Sequence, residues 1–146
     1  MKRQFLLSML LGFTLMAFCQ TENITTSFKK SFAWGACAID ENLDGEFDAE
    51  NDTFFTLPSN SRVVLDFKHF GSAGSRCKIE ASYPDKDGSG MIELEPVRLE
   101  DVKIIKLGTD FLVVNALGDT QISLIYNETE HYYCLFIDEP ALFNLR

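Results

Sequence analysis

Basic residues are scarce in this 146-residue chain: 13 lysines and arginines face 22 aspartates and glutamates, a formal charge of −9. No local Lys/Arg cluster offsets that excess. The chain is therefore expected to repel phosphate backbones and anionic membrane surfaces, so no nucleic acid partner is expected. Cysteines in C-x-x-C spacing are absent, which leaves thiol redox catalysis and structural zinc without their usual ligand pattern. Helical periodicity is missing, as are internal repeats, linkers and low-complexity segments. The usual catalytic motifs are missing too, with neither G-x-S-x-G nor H-E-x-x-H. His69 and His131 lie far apart in sequence, with no nucleophile in an activating frame. Glu93 and Glu95 alternate with apolar residues and suit a solvent face better than glycoside chemistry. No enzyme is expected.

What is present begins with an export signal. Lys2 and Arg3 precede an apolar run from Phe5 to Phe18, and Ala17-Phe18-Cys19 suits a signal peptidase. That run is shorter than the about 20 residues a membrane span needs, so no membrane anchor is expected. Lipidation at Cys19 is disfavoured by the bulky Phe18. The organisation expected is a signal peptide over 1–19, a flexible arm over 20–26 and one domain over 27–146, secreted into an extracellular or periplasmic space. Loss of Lys2 and Arg3 leaves 22 acids against 11 bases, a charge of −11. Cys37, Cys77 and Cys134 then remain, and export favours one disulfide. All three pairings are open, with Cys37–Cys134 preferred because first and last strands often meet. Asn23, Asn51 and Asn127 each open a glycosylation acceptor triplet.

The mature chain reads as strand after strand. Phe32, Trp34, Ala36 and Ala38 alternate with Ala33, Gly35, Cys37 and Ile39, so both faces are apolar. Val63, Leu65 and Phe67 alternate with Val64, Asp66 and Lys68, and Cys77, Ile79, Ala81 and Tyr83 alternate with Lys78, Glu80 and Ser82. Four β-rich runs close the chain: Val102–Leu107, Phe111–Val114, Ile122–Tyr126 and Tyr132–Ile137. Short turns between them predict antiparallel hairpins. Closing such a meander removes exposed sheet edges. The fold class expected is all-β: a single antiparallel up-and-down meander forming a small closed or nearly closed barrel of about eight strands. A two-sheet β-sandwich is the alternative.

Two loops are rich in carboxylates. Residues 85–93, Asp85 to Glu93, resemble the first part of an EF-hand calcium loop. Asp85, Asp87 and Ser89 would supply side-chain oxygens, Met91 its carbonyl, and Glu93 would follow. Oxygens at alternate positions of a turning loop converge on one centre, as Ca²⁺ requires. Pro96 stands where the closing glutamate belongs, and strand-like flanks leave the EF-hand fold unimplied. A looser version spans Asp40, Asn42, Asp44, Gly45, Glu46, Asp48 and Glu50, with Asn51 at the closing position. Seven acids crowd into residues 40–52, and their repulsion would favour a cation. No cofactor is required, and calcium is the candidate ion.

Val102-Lys103-Ile104-Ile105-Lys106-Leu107, Thr109-Asp110-Phe111-Leu112-Val113-Val114 and Ile122-Ser123-Leu124-Ile125-Tyr126 resemble the late strands of lipocalin-like exported domains. The lipocalin Gly-x-Trp is absent, with Trp34-Gly35 in reversed order, and the chain is short for that family. The resemblance implies an up-and-down barrel whose interior holds a small molecule. The function expected is binding of an apolar or amphipathic small molecule, lined by Trp34, Phe54, Leu65, Phe67, Phe111 and Tyr132. The alternative is an extracellular interaction module whose acidic loops bind calcium or a protein partner.

Overall fold

A computed structural model describes residues 21–138. The expected signal peptide lies outside them. Eleven strands follow in order: β1 (Thr21–Ile24), β2 (Phe28–Ile39), β3 (Thr53–Thr56), β4 (Arg62–His69), β5 (Ser75–Pro84), β6 (Met91–Glu93), β7 (Val97–Glu100), β8 (Lys103–Leu107), β9 (Asp110–Val114), β10 (Thr120–Asn127) and β11 (Tyr132–Ile137). A 3-10 turn at Gly71–Ala73 joins β4 to β5. No helix among the described residues is long and apolar enough to cross a membrane.

The chain is all-β, as its alternation predicts. The four closing runs form the expected hairpins, β8 on β9, β9 on β10 and β10 on β11, all antiparallel. Positive φ at Gly108 and Gly118 lets two of their turns close without strain. In β4 the residues Val63, Leu65 and Phe67 turn inward, and in β5 so do Cys77, Ile79 and Ala81. Pro96, which has no amide hydrogen to donate, separates β6 from β7, and both pair with β5.

The twelve-residue β2 organises the molecule. Its first half pairs antiparallel with β4, from Phe28 opposite Phe67 to Ala33 opposite Arg62. Its second half pairs antiparallel with β3 and parallel with β11. Two half-sheets therefore share one strand. They face each other across a common core, where Phe28 of β2 stacks on Phe111 of β9 at 6.1 Å and Phe32 meets the same ring edge-on at 5.1 Å.

Three expectations are corrected. The barrel is not closed: the strand path runs β1-β8-β9-β10-β11-β2-β4-β5-β6, and its end strands β1 and β6 do not pair. The sheet is not purely antiparallel, because the last strand joins the first long one in parallel. No disulfide forms among the described residues, where Cys37, Cys77 and Cys134 are free thiols. Register explains the failure of the preferred pair. Cys134 lies opposite Ala36 while Cys37 lies opposite Leu135, so the two cysteines occupy opposite faces of the sheet. Burial pushes the Cys77 thiol up to about 12 and that of Cys37 higher still. Within the segment expected as an arm, residues 21–24 form β1 and pair with β8.

Candidate functional site

Two places in the fold gather side chains with chemistry to offer. One is an open cleft of about 450 Å³ where β1, the end strand of the first half-sheet among the described residues, approaches the β4–β5 connection. Phe67 and Val102, both buried, form its apolar floor beside Ile24. His69, Asp101, Lys103 and Asn23 surround it. The His69 ring lies nearly parallel to that of Phe67, centroids 6.4 Å apart. The crossing from β7 to β8 shapes the far wall. Asp101 takes a positive φ of 53° and donates its amide to the Ser75 carbonyl, while the Ser75 hydroxyl donates to the Val102 carbonyl. Gly74 takes a φ of +99° there, a conformation that L side chains rarely adopt, and the position where a Cβ would stand lies 2.6 Å from the Asp101 carboxylate.

The second place is the loop between β2 and β3. Phe47 is fully buried and meets the Phe136 ring edge-on at 4.9 Å, which fastens the loop to the outer face of β11. Polar side chains then hold its backbone. The Gly45 amide donates to Asp40 Oδ2, the Glu41 amide to Asp52 Oδ1, the Asp48 amide to Asp52 Oδ2 and the Glu46 amide to Asp44 Oδ1. One oxygen each from Asp40, Asp44 and Asp52 lies within 4.8 Å of the others. Burial raises the Asp40 carboxyl above the ordinary aspartate range, and the charges of Asp52 and Asp44 add to that rise, against the backbone amides of Gly45 and Asp44, which lower it.

The expected lining residues separate. Trp34, Leu65, Phe67 and Phe111 belong to the packed core, and the Trp34 indole donates to the Ser82 carbonyl at 3.1 Å. Of these four, Phe67 also reaches the cleft. Phe54 stands on the outward side of β3, 44% exposed. Tyr132 covers Gly35, where a side chain would collide with its ring. Asp85, half-buried, and the exposed Asp87 and Ser89 form a tight turn in which the Asp85 amide donates to the Gly90 carbonyl and the Ser89 amide to Asp87 Oδ1. Met91 and Glu93 continue into β6, opposite Pro84 and Ser82. Among the described residues, the threefold convergence of carboxylates is at Asp40, Asp44 and Asp52, and Asp85, Asp87 and Glu93 take no part in it. Of the acceptor asparagines, Asn23 borders the cleft, Asn51 donates its side-chain amide to Asp48, and Asn127 Oδ1 accepts from the Thr129 and Glu130 amides.

Sequence reasoning missed the cleft entirely. Its residues come from five separate segments, and no local pattern joins them. It also missed Asp52, although the β2–β3 register supplies the signal. Ile39 lies opposite Thr53, so the next pair outward is Asp40 and Asp52. Comparison with protein-family models, curated proteins and solved structures finds no match for this chain.

Proposed function

We propose that this chain is an exported binding protein that takes a small amphipathic molecule in the cleft between β1 and the β4–β5 connection. The observation that carries this reading is the juxtaposition of a buried apolar floor with a few polar groups around it. Small-molecule sites combine those features in concave pockets of about 300–1,000 Å³, and the cleft falls within that size at about 450 Å³. The ligand class is the one that the lipocalin-like strands suggest, but its place moves from the interior to the cleft. Trp34, Leu65 and Phe111 are already engaged with one another's neighbours in the core. Phe67 and Val102 would take the apolar part of the ligand, while Lys103, His69 and Asp101 would meet its polar end.

Ala116 is exposed at the cleft and outside the core. Ala116→Trp should therefore fill the site without unfolding the domain. The expected result is that a fluorescent anilinonaphthalene sulfonate probe binds the unsubstituted chain saturably and loses at least tenfold in affinity with Ala116→Trp, at unchanged melting temperature. Equal binding by both chains would reject the cleft. The second reading, an interaction module presenting its acidic loops, is favoured by the way residues 40–52 fold around Phe47.

A further inference from the structure

We infer that the loop joining β2 to β3 is a calcium site, with the carboxylates of Asp40, Asp44 and Asp52 as its protein ligands. The inference does not depend on the cleft. Its first support is distance. Two oxygens sharing a calcium ion at about 2.4 Å each stand at most about 4.8 Å apart, and the three carboxylates fall within that limit. Its second support is a polar atom left without a donor. Asp40 is 1% exposed, its Oδ2 accepts from the Gly45 amide, and its Oδ1 forms no hydrogen bond among the described residues. An uncompensated buried carboxylate oxygen is costly, and two further carboxylates beside it increase the cost. A divalent cation removes both penalties together.

The local fold explains how the ligands meet. The β2–β3 ladder sets Asp40 and Asp52 side by side just beyond the Ile39–Thr53 pair. The Asp40 amide donates to the Ile137 carbonyl, so the position is also tied to β11. Gly45 takes a φ of +79°, a turn that brings Asp44 back toward Asp40. Phe47 anchors the loop from beneath. These constraints place the carboxylates before any ion arrives, which lowers the ordering cost of binding.

The donor set selects the ion. All three ligands are carboxylate oxygens, with neither imidazole nor thiolate, so zinc and copper are disfavoured. Magnesium demands a compact octahedron and keeps its waters, whereas calcium accepts six to eight oxygens in flexible geometry. Three carboxylates from one loop, with water completing the shell, suit the weak extracellular range, a Kd of about 10⁻⁴–10⁻³ M.

The test is calcium titration of the full chain by calorimetry, alongside melting temperature with calcium, with magnesium and after chelation. Expected are one saturable site, a melting temperature raised by calcium and reversed by chelator, and a smaller response to magnesium. Asp52→Asn should cut affinity at least tenfold. The exposed Asp44→Asn gives the same reading if Asp52→Asn fails to fold, since its amide oxygen can still accept from Glu46. Asp85→Asn with Asp87→Asn should bind as the unsubstituted chain does. No heat and no melting shift at several millimolar calcium would overturn the assignment. So would equal responses to the two cations, or loss of binding in the Asp85/Asp87 variant alone.

Discussion

Asp110 shows how a single residue can cost stability while organising its surroundings. At the start of β9 its Oδ1 accepts the Tyr126 amide at 2.8 Å, tying the β8–β9 turn to β10. Burial raises its carboxyl above the ordinary range and the nearby Glu128 charge adds to this, whereas the Tyr126 amide and the Thr109 hydroxyl lower it. An acid with a raised folded-state pKa binds its proton more tightly when folded. Stability then falls as pH rises from the unfolded value through the folded one, and the full cost is present at neutrality. Asp110→Asn keeps an acceptor for Tyr126 and removes the charge. We predict a higher melting temperature at pH 7, with the gain shrinking in acid and gone below the ordinary aspartate pKa of about 3.9. A gain independent of pH would mean that charge is not the cause.

At this scale the sequence was informative about residue type and silent about partners. Its alternation pointed Val63, Leu65, Cys77 and Ile79 into the core, where they lie. The same alternation could not say that Trp34 would spend its indole on Ser82, because that carbonyl is 48 residues away. The carboxylates of residues 40–52 were visible as a composition. Their convergence was not, because Asp52 enters through cross-strand register and not through loop spacing.

Among the elements, β2 carries the unusual demand of serving two half-sheets. The change occurs at Gly35. The pairing with β11 skips a residue there, from Tyr133 opposite Trp34 to Cys134 opposite Ala36, as at a β-bulge. Trp34 donates its amide to the Ser61 carbonyl, and Gly35 accepts from the Leu57 amide. The Tyr132 ring lies against the bare glycine, 2.1 Å from where a Cβ would stand. Gly35→Ala should therefore destabilise the chain by about 1–3 kcal/mol in denaturant unfolding, as overpacking does. In a Tyr132→Ser background the same change should cost much less. An identical cost in both backgrounds would show that the ring does not occupy that space.

The closing hairpins were legible because each is local. Short turns, Gly108 and Gly118 among them, join strands that pair with their sequence neighbours. The parallel contact between β2 and β11 was not legible. Its residues are about a hundred positions apart in the chain, and alternation does not choose between distant partners. Both faces of β2 being apolar was the one hint. One face meets the core through Phe32, Trp34 and Cys37, and on the other Ala38 is buried opposite Phe54 and Phe136.

For the whole molecule, the missing closure is the central fact. A barrel would have joined β1 to β6 and placed any ligand inside. Two half-sheets sharing β2 instead bring Phe28, Phe32, Phe67 and Phe111 together as core, and leave a cleft where the end strand β1 meets the β4–β5 connection. The proposed ligand binding depends on that placement. Its most direct test is amide chemical-shift mapping of the isotope-labelled chain titrated with anilinonaphthalene sulfonate. Shifts are expected at Ile24, His69, Gly74, Lys103 and Ala116, with Leu135, Ile137 and the Trp34 indole unmoved. Shifts centred on Trp34, Leu65 and Leu135, with the cleft silent, would overturn that placement and return the ligand to the interior.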